Sequence, residues 1–251
     1  MLNAANITAE LAANTHGEPI HIRGISSMAT RQVLAEMTSS FTARSGHTVA
    51  IESVGGVDAA KRVQAGEAFD LVILASDAID TLIVAGAIAP GSRFDLVRSG
   101  VAVAVRAGKE LPDIASEEAV KRAVLAAKSI SYSTGPSGAA LAKLFERWGI
   151  AEDIKSRMVQ APPGVPVGTL VASGEVALGF QQLSELLHVE GITVVGPLPA
   201  DIQITTTFSA GLPTPYNMDS ERTKAVKSLL DYMVSPEAAA AKRRQGMEPC
   251  Q

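Results

Sequence analysis

The strongest constraint on this chain is a repeated order of elements: a short apolar, β-branched run, a turn of small residues, then a stretch with helical period. IHIRG leads into a helical pattern over residues 30–44, HTVAIESV into one over 59–65, and FDLVILA into one over 79–85. Strands separated by helices pair in parallel through right-handed crossovers, which puts helices on both faces of the sheet. This predicts an α/β protein. VRSGVAVAVRAG follows without a helix immediately before it, so it is expected to open a second sheet. The second half repeats the grammar, with helices over 117–127, 139–148 and 167–173 and strands at SISYS, SRMVQAP, VALGFQ and ITVVGPL. QITTTFSAGL is a second long β-branched passage suited to carrying the chain back, and residues 220–234 and 236–245 read as helices packing on the first half.

Two crossings imply two lobes: residues 1–97 plus 206–251 in the first, 98–205 in the second, with a hinge near 96–102 and 203–210. With 47% hydrophobic and 19% charged residues the chain can bury such cores, and Ala, Val, Ile and Leu must fill them because aromatics make up only 4%. The formal charge of -4 with scattered Lys and Arg gives no basic field, so no nucleic-acid partner is expected. No apolar run reaches the length of a membrane span, and no membrane insertion is expected. The first nineteen residues lack a basic start followed by an apolar stretch, which predicts a cytoplasmic protein unless the true start carries an export signal, when it would be periplasmic.

Open α/β sheets bind ligands beyond the carboxyl ends of their strands, where loops enter helices, so those loops hold the candidate ligand residues. After IHIRG come Ser26, Ser27 and Met28. A serine there can cap the helix, or it can donate to an anion held by the helix amides; the sequence leaves both open. Gly55, Gly56 and Val57 follow the second strand, as an anion nest or as a tight turn with Asp58 as cap. Thr134, Ser137 and Gly138 lie in STGPSG at a helix start, without the ending of a phosphate-binding P-loop. Gly164 and Val165 belong to a Pro-stiffened turn, and Gln181 and Gln182 end a strand with two amides. Among the arginines flanking strands, Arg98 is preferred over Arg23 and Arg106 because it sits at the first crossing. Cys250, alone and near the end, is not expected to be catalytic. His16, His21, His47 and His188 are dispersed and the metal-binding motifs are absent, so neither a metal nor any other cofactor is expected.

The stretches ISSMATRQVLAEMTSSFTARSGHTV, SVGGVDAAKRVQAGEAFDLVILASDAIDTLIVAGAI, VRSGVAVAVRAGK, EVALGFQQLSELL and SPEAAAAKRRQGMEP resemble the type II periplasmic-binding-protein fold, specifically the branch around the molybdate-binding proteins of ABC transporters. The resemblance covers most of the chain after about residue 20. It implies two lobes, a hinge of two crossing strands, and an anion held without metal by hydroxyls and backbone N–H groups. It places Ser26 or Ser27 at the early serine that contacts the oxyanion. The family's second serine falls on Val57 and its tyrosine on Gln182, so two hydroxyls are lost. A tetrahedral oxyanion needs many donors, and an organic carboxylate suits the altered pocket better. The resemblance implies a monomeric solute-binding protein that closes on a small anion and is read by an ABC permease if exported. Some proteins resembling this branch are aconitate isomerases, so the alternative is an isomerase that takes and returns an allylic proton, with Glu52 and Glu185 as the nearest candidate bases. An intracellular anion sensor is a third option.

Overall fold

The structure, a computed structural model, describes residues 18–162, 165–215 and 220–250. The first three units are β1 (His21–Ser27) with α1 (Arg31–Ser45), β2 (Thr48–Val54) with α2 (Gly56–Gln64), and β3 (Leu71–Ala75) with α3 (Ser76–Val84). β1 pairs in parallel with both β2 and β3. Every residue of β3 is buried, as a strand covered on both faces requires. Leu71 and Ile73 join one core with Val33, Leu34 and Met37 of α1, while Val72 and Leu74 join another with Ala59 and Val63 of α2 and Ile79 and Leu82 of α3. The alternation of LVIL thus feeds two helical layers at once.

The long apolar run becomes β4 (Phe94–Arg106), a strand of 13 residues. Beyond it come α4 (Glu117–Ala126), β5 (Ile130–Tyr132), α5 (Pro136–Arg147), the short α6 (Ala151–Ile154), α7 (Val167–Ser173), β6 (Leu178–Gln182), the short α8 (Leu183–Leu186) and β7 (Ile192–Pro197). The chain returns through β8 (Thr205–Gly211) and ends in α9 (Glu221–Val234), α10 (Pro236–Arg244) and β9 (Glu248–Pro249). As expected, α9 and α10 pack on the first half, through Leu229, Leu230, Met233 and Ala238.

β4 belongs to both halves. Residues from Phe94 to Gly100 pair antiparallel with β8, and residues from Val101 onward pair antiparallel with β6 and β7. The strand order is β2-β1-β3-β8-β4-β6-β5, with β7 and β9 also on β4. The parallel pairs are β1 with β2, β1 with β3, and β5 with β6; the crossing strands run against their neighbours. Around the far half of β4, Val101, Val103 and Val105 face a core with Val120, Leu141, Phe145 and Phe180, whereas Ala102 and Ala104 face Leu186 of α8. The sequence VAVAV therefore buries bulk on one side and lets a helix approach on the other. Gly179 does the same for α7: a Cβ there would lie 2.5 Å from Val171 and 2.9 Å from Val167.

The two crossings are tied together where they pass. The Val101 N–H donates to the Gln203 carboxamide oxygen at 3.0 Å and the Gln203 Nε2 donates to the Leu198 carbonyl at 3.3 Å. A Cβ on Gly100 would meet that carboxamide at 3.0 Å. One sequence reading is corrected here: SRMVQAP is not a strand but a 3-10 turn, Lys155–Arg157, followed by a single bridge from Met158 to Ile130. β5 is only three residues long and leaves that side of the sheet little to extend.

Lys242 on α10 is fully buried, its Nζ finds no hydrogen-bond partner among the described residues, and burial pushes its pKa below the usual 10.5. An unpaired buried polar group costs about 1–3 kcal/mol. Lys242→Met is therefore expected to raise the thermal midpoint at pH 7. Because the folded state disfavours the ammonium, wild-type stability should rise as the pH climbs toward the unfolded pKa, and the variant should lose that slope. Melts across pH check both.

Candidate functional site

The strand ends of the first half converge on β1. Ser26 and Ser27 close the strand and a 3-10 turn, Met28–Thr30, carries the chain into α1. The two serines have different surroundings. The Ser26 hydroxyl shares a 2.8 Å hydrogen bond with that of Ser53 on β2, so it is occupied across the sheet. The Ser27 side chain makes no cap bond, although its carbonyl accepts from the Thr30 hydroxyl at 3.0 Å. Its Oγ is buried without a partner among the described residues. Of the two readings left open by sequence, capping fails for both: the first turn is held by the Ser27 carbonyl, not by a serine side chain.

Gly55 precedes α2 and Gly56 starts it, neither with positive φ, so of the two readings left open the nest is absent, and Asp58, inside the first turn, makes no cap bond either. What the pair provides is closeness: a Cβ on Gly56 would lie 3.7 Å from that of Ser27. The amides at the start of α2 therefore open beside the unpartnered hydroxyl, with the positive end of the helix dipole behind them. Val57 is 55% exposed and contributes no donor through its side chain. Met28 lies in the 3-10 turn, which packs against α8 of the other half.

From the other half come the amides. The Gln182 Nε2 donates to the Thr206 hydroxyl at 2.8 Å, leaving its Oε1 buried and unpartnered among the described residues. The Gln181 Oε1 accepts from the Gly168 N–H at the start of α7, at 3.2 Å. That bond orients the amide so that its Nε2 donates to the Glu185 carboxylate at 2.8 Å. Burial outweighs this bond and raises the Glu185 pKa from 4.5 to about 7. Nearby, the Ser99 and Ser184 hydroxyls face each other at 3.4 Å between β4 and α8. At the start of α5 the Ser133 and Ser137 hydroxyls bond at 3.0 Å, Thr134 is exposed, and Gly138 is obligatory because a Cβ would fall 1.5 Å from the Ser133 carbonyl. Val165 donates its N–H to the Pro162 carbonyl. Gly164 and His16 lie outside the described residues.

Two expected residues sit elsewhere. Arg98 is exposed on β4, in register with Thr207 and with Glu248 of β9. Its neighbour Ser99 is the one that turns inward, and adjacent strand residues point to opposite faces. Glu52 is exposed and held bidentately by Arg62 at 2.7 and 2.9 Å, which keeps its pKa below the usual carboxylate range. It is a poor proton acceptor. Sequence reasoning did not count Ser53, Thr206, Ser99 or Ser184 among the ligand residues, although Ser53 opens the second loop and Ser99 and Thr206 lie in the two crossings it had marked. An open groove of about 960 Å³ runs along β2 and α1, but all its walls, among them Arg23, Arg31 and Phe69, come from the first half. Among the described residues no group of His, Cys, Asp and Glu could hold a metal, and no helix is long and apolar enough to cross a membrane.

A family model described as bacterial extracellular solute-binding protein matches residues 22–248. An aconitate isomerase of a Pseudomonas species is 39% identical over 191 residues, covering 75% of this chain and 70% of that protein. Among solved structures, the periplasmic molybdate-binding protein of Azotobacter vinelandii superposes with a TM-score of 0.74 at 21% identity, over 92% of this chain and 100% of that one. The sulfate-binding protein of Mycobacterium tuberculosis gives 0.72 at 15% identity, over 92% of this chain and 88% of that one. These likenesses bear out the α/β, two-lobed binding-protein fold.

The Glu185 environment has a measurable signature. Between the unfolded value of 4.5 and the folded value of about 7 the native state holds the extra proton. Stability should therefore fall as pH rises through that window, by on the order of 3 kcal/mol. Denaturant melts of the wild type should show the fall, and Glu185→Gln should be flat there.

Proposed function

The chain belongs to the family of bacterial extracellular solute-binding proteins, and on that footing we propose that it closes two lobes over a small organic carboxylate gripped at the end of β1. On this reading the described residues up to 97 and from 206 form one lobe and the described residues of 98–205 the other, turning about the crossings near 96–102 and 203–210. The observation that carries the reading is the buried Ser27 hydroxyl, which has no partner among the described residues and opens beside the amides of α2. An unmet buried hydroxyl costs about 1–3 kcal/mol, and an anion that accepts from it removes that cost. Ser26 is spoken for by Ser53, so Ser27 is the serine that meets the ligand.

The choice of a carboxylate over a tetrahedral oxyanion follows from donor supply. Molybdate or sulfate presents four oxygens, and the two family hydroxyls that would serve them are replaced by Val57, which has no side-chain donor, and by Gln182, one of whose two Nε2 hydrogens is spent on Thr206. A carboxylate presents its charge on two coplanar oxygens, and that planar pair suits one hydroxyl with neighbouring backbone amides. Closure then works by population shift, since a ligand touching both lobes favours the closed form. A permease that reads the closed form is the partner this implies, and the family's extracellular designation supports work outside the cytoplasm.

A second reading is favoured by the 39% identical relative and by the carboxyl of Glu185 bonded to Gln181. Glu185, with a pKa of about 7, is matched to taking and returning a proton at neutral pH. The reaction would move the double bond of aconitate through an enolate-like intermediate whose charge Ser27 and the α2 amides stabilise.

Calorimetry with citrate, both aconitates, molybdate and sulfate should show binding of the carboxylates and none of the inorganic anions. Ser27→Ala should weaken that binding about 10-fold or more, as expected for a hydrogen bond to a charged acceptor, with an unchanged melt. Binding of molybdate in preference to all the carboxylates would overturn the carboxylate reading. Following the aconitate double bond by ultraviolet absorbance with purified protein separates the two readings. If turnover occurs, Glu185→Gln should lower kcat by about 100-fold or more.

A further inference from the structure

Glu185 occupies an unusual place for a carboxyl in a protein that receives anions. It lies on α8, which packs against β4, β6 and the 3-10 turn of the opposite lobe that begins one residue after Ser27. Its one hydrogen-bond donor is the Gln181 Nε2, and that amide is held in place from behind by the Gly168 N–H. Glu185 is half-buried, so a second negative charge entering beside it would meet repulsion that water screens less than at an open surface.

The charged groups on the surrounding elements do not relieve this. β4 carries Asp95, Arg98 and Arg106; Asp95 is paired with Arg93, Arg98 is exposed beside β9, and the Arg106 guanidinium lies against Gly174. β6, the 3-10 turn and α7 carry no charged residue. Beyond α8, His188 bonds to Gln245 at the end of α10, and Glu190 is exposed. On α10 itself, Arg244 is paired with Glu36, Arg243 lies 3.7 Å from Glu248, and Lys242 faces the Cys250 side. None of them forms an ion pair with Glu185 among the described residues.

From this arrangement, and resting on the carboxylate reading above, we propose that the site takes its ligand together with one proton, held by Glu185 at the lobe junction. With no cation to pair with it, the carboxyl can stay beside a bound carboxylate only as the neutral acid, which then donates its O–H to the ligand or to the facing lobe. Proton uptake thus becomes a condition of closure, and Glu185 acts as a specificity-determining residue: it favours carboxylic acids, whose oxygens share a proton readily, over the anions of strong acids. The direction of its titration in the free protein agrees, since burial already holds the proton there up to about pH 7.

The test is calorimetry with citrate and trans-aconitate at pH 7.5 in two buffers of different ionisation enthalpy, repeated at pH 8.5. The wild type should take up close to one proton per ligand, and its affinity should fall by up to tenfold over that pH unit. Glu185→Gln should bind with no such fall and with no buffer dependence. Wild-type binding without proton uptake overturns the proposal and leaves the carboxylate reading standing. An unchanged pH dependence in Glu185→Gln overturns it in the same way, by assigning the proton to another group. Absence of binding by every carboxylate removes the carboxylate reading and this proposal together. Should Glu185→Gln fail to fold, the wild-type buffer comparison decides alone.

Discussion

One strand holds this molecule together and also divides it. β4 spends its first half in a ladder with β8 and its second half with β6 and β7, so the same backbone is a central member of both sheets. A strand can serve two sheets only if the sheets meet edge to edge along it, and the helices of each must then cover separate cores. The cores do separate: one is gathered from residues around β1, β3, α1 and α9, the other from β4, α4, α5 and β6. The return crossing is bound to the first at Gln203 and Val101, where a side-chain amide completes the ladder.

The fold was largely legible because the physics that makes it is local and repeated. LVIL in β3 and VAVAV in β4 state their burial in their own alternation, and helix spans could be read from period to within a few residues. The failures have physical causes as well. SRMVQAP has the apolar content of a strand, but the Pro residues that follow and the short β5 beside it leave no ladder for it to join. α6 and α8 are single turns of four residues, too short for any period to show. β9 has two residues and exists only because Val97 and Arg98 offer it an edge.

The site was less legible, because a side chain's role depends on what lies opposite it, which sequence does not display. Ser26 and Ser27 are identical letters at adjacent positions. Alternation turns one toward Ser53 and leaves the other in the gap, and only the β1–β2 register, with Ser26 opposite Ser53, decides which. Glu52 and Glu185 looked equally plausible as bases. Arg62, ten residues along the chain from one of them, removed Glu52 from consideration, while dry surroundings and a single amide did the opposite for Glu185. Arg98 was chosen for its place at the crossing, but parity on the strand sends it outward and sends Ser99 in.

The same contrast bears on the proposed site, whose side chains at the ends of β1 and β6 are almost wholly neutral groups. A closing protein must release its ligand again, and a fully enclosed guanidinium would hold an anion at the expense of that release while suffering its own desolvation in the open state. Hydroxyls and backbone amides avoid the difficulty, because water satisfies them when the lobes part and the anion satisfies them when the lobes meet. Among the described residues the Ser27 hydroxyl and the Gln182 carbonyl oxygen are buried without a hydrogen-bond partner, and both are neutral groups of this kind. A carboxyl among them reverses the sign of the local charge only when it loses its proton. On the proposed reading, the charge of the site therefore turns on the protonation state of Glu185 more than on any fixed charge.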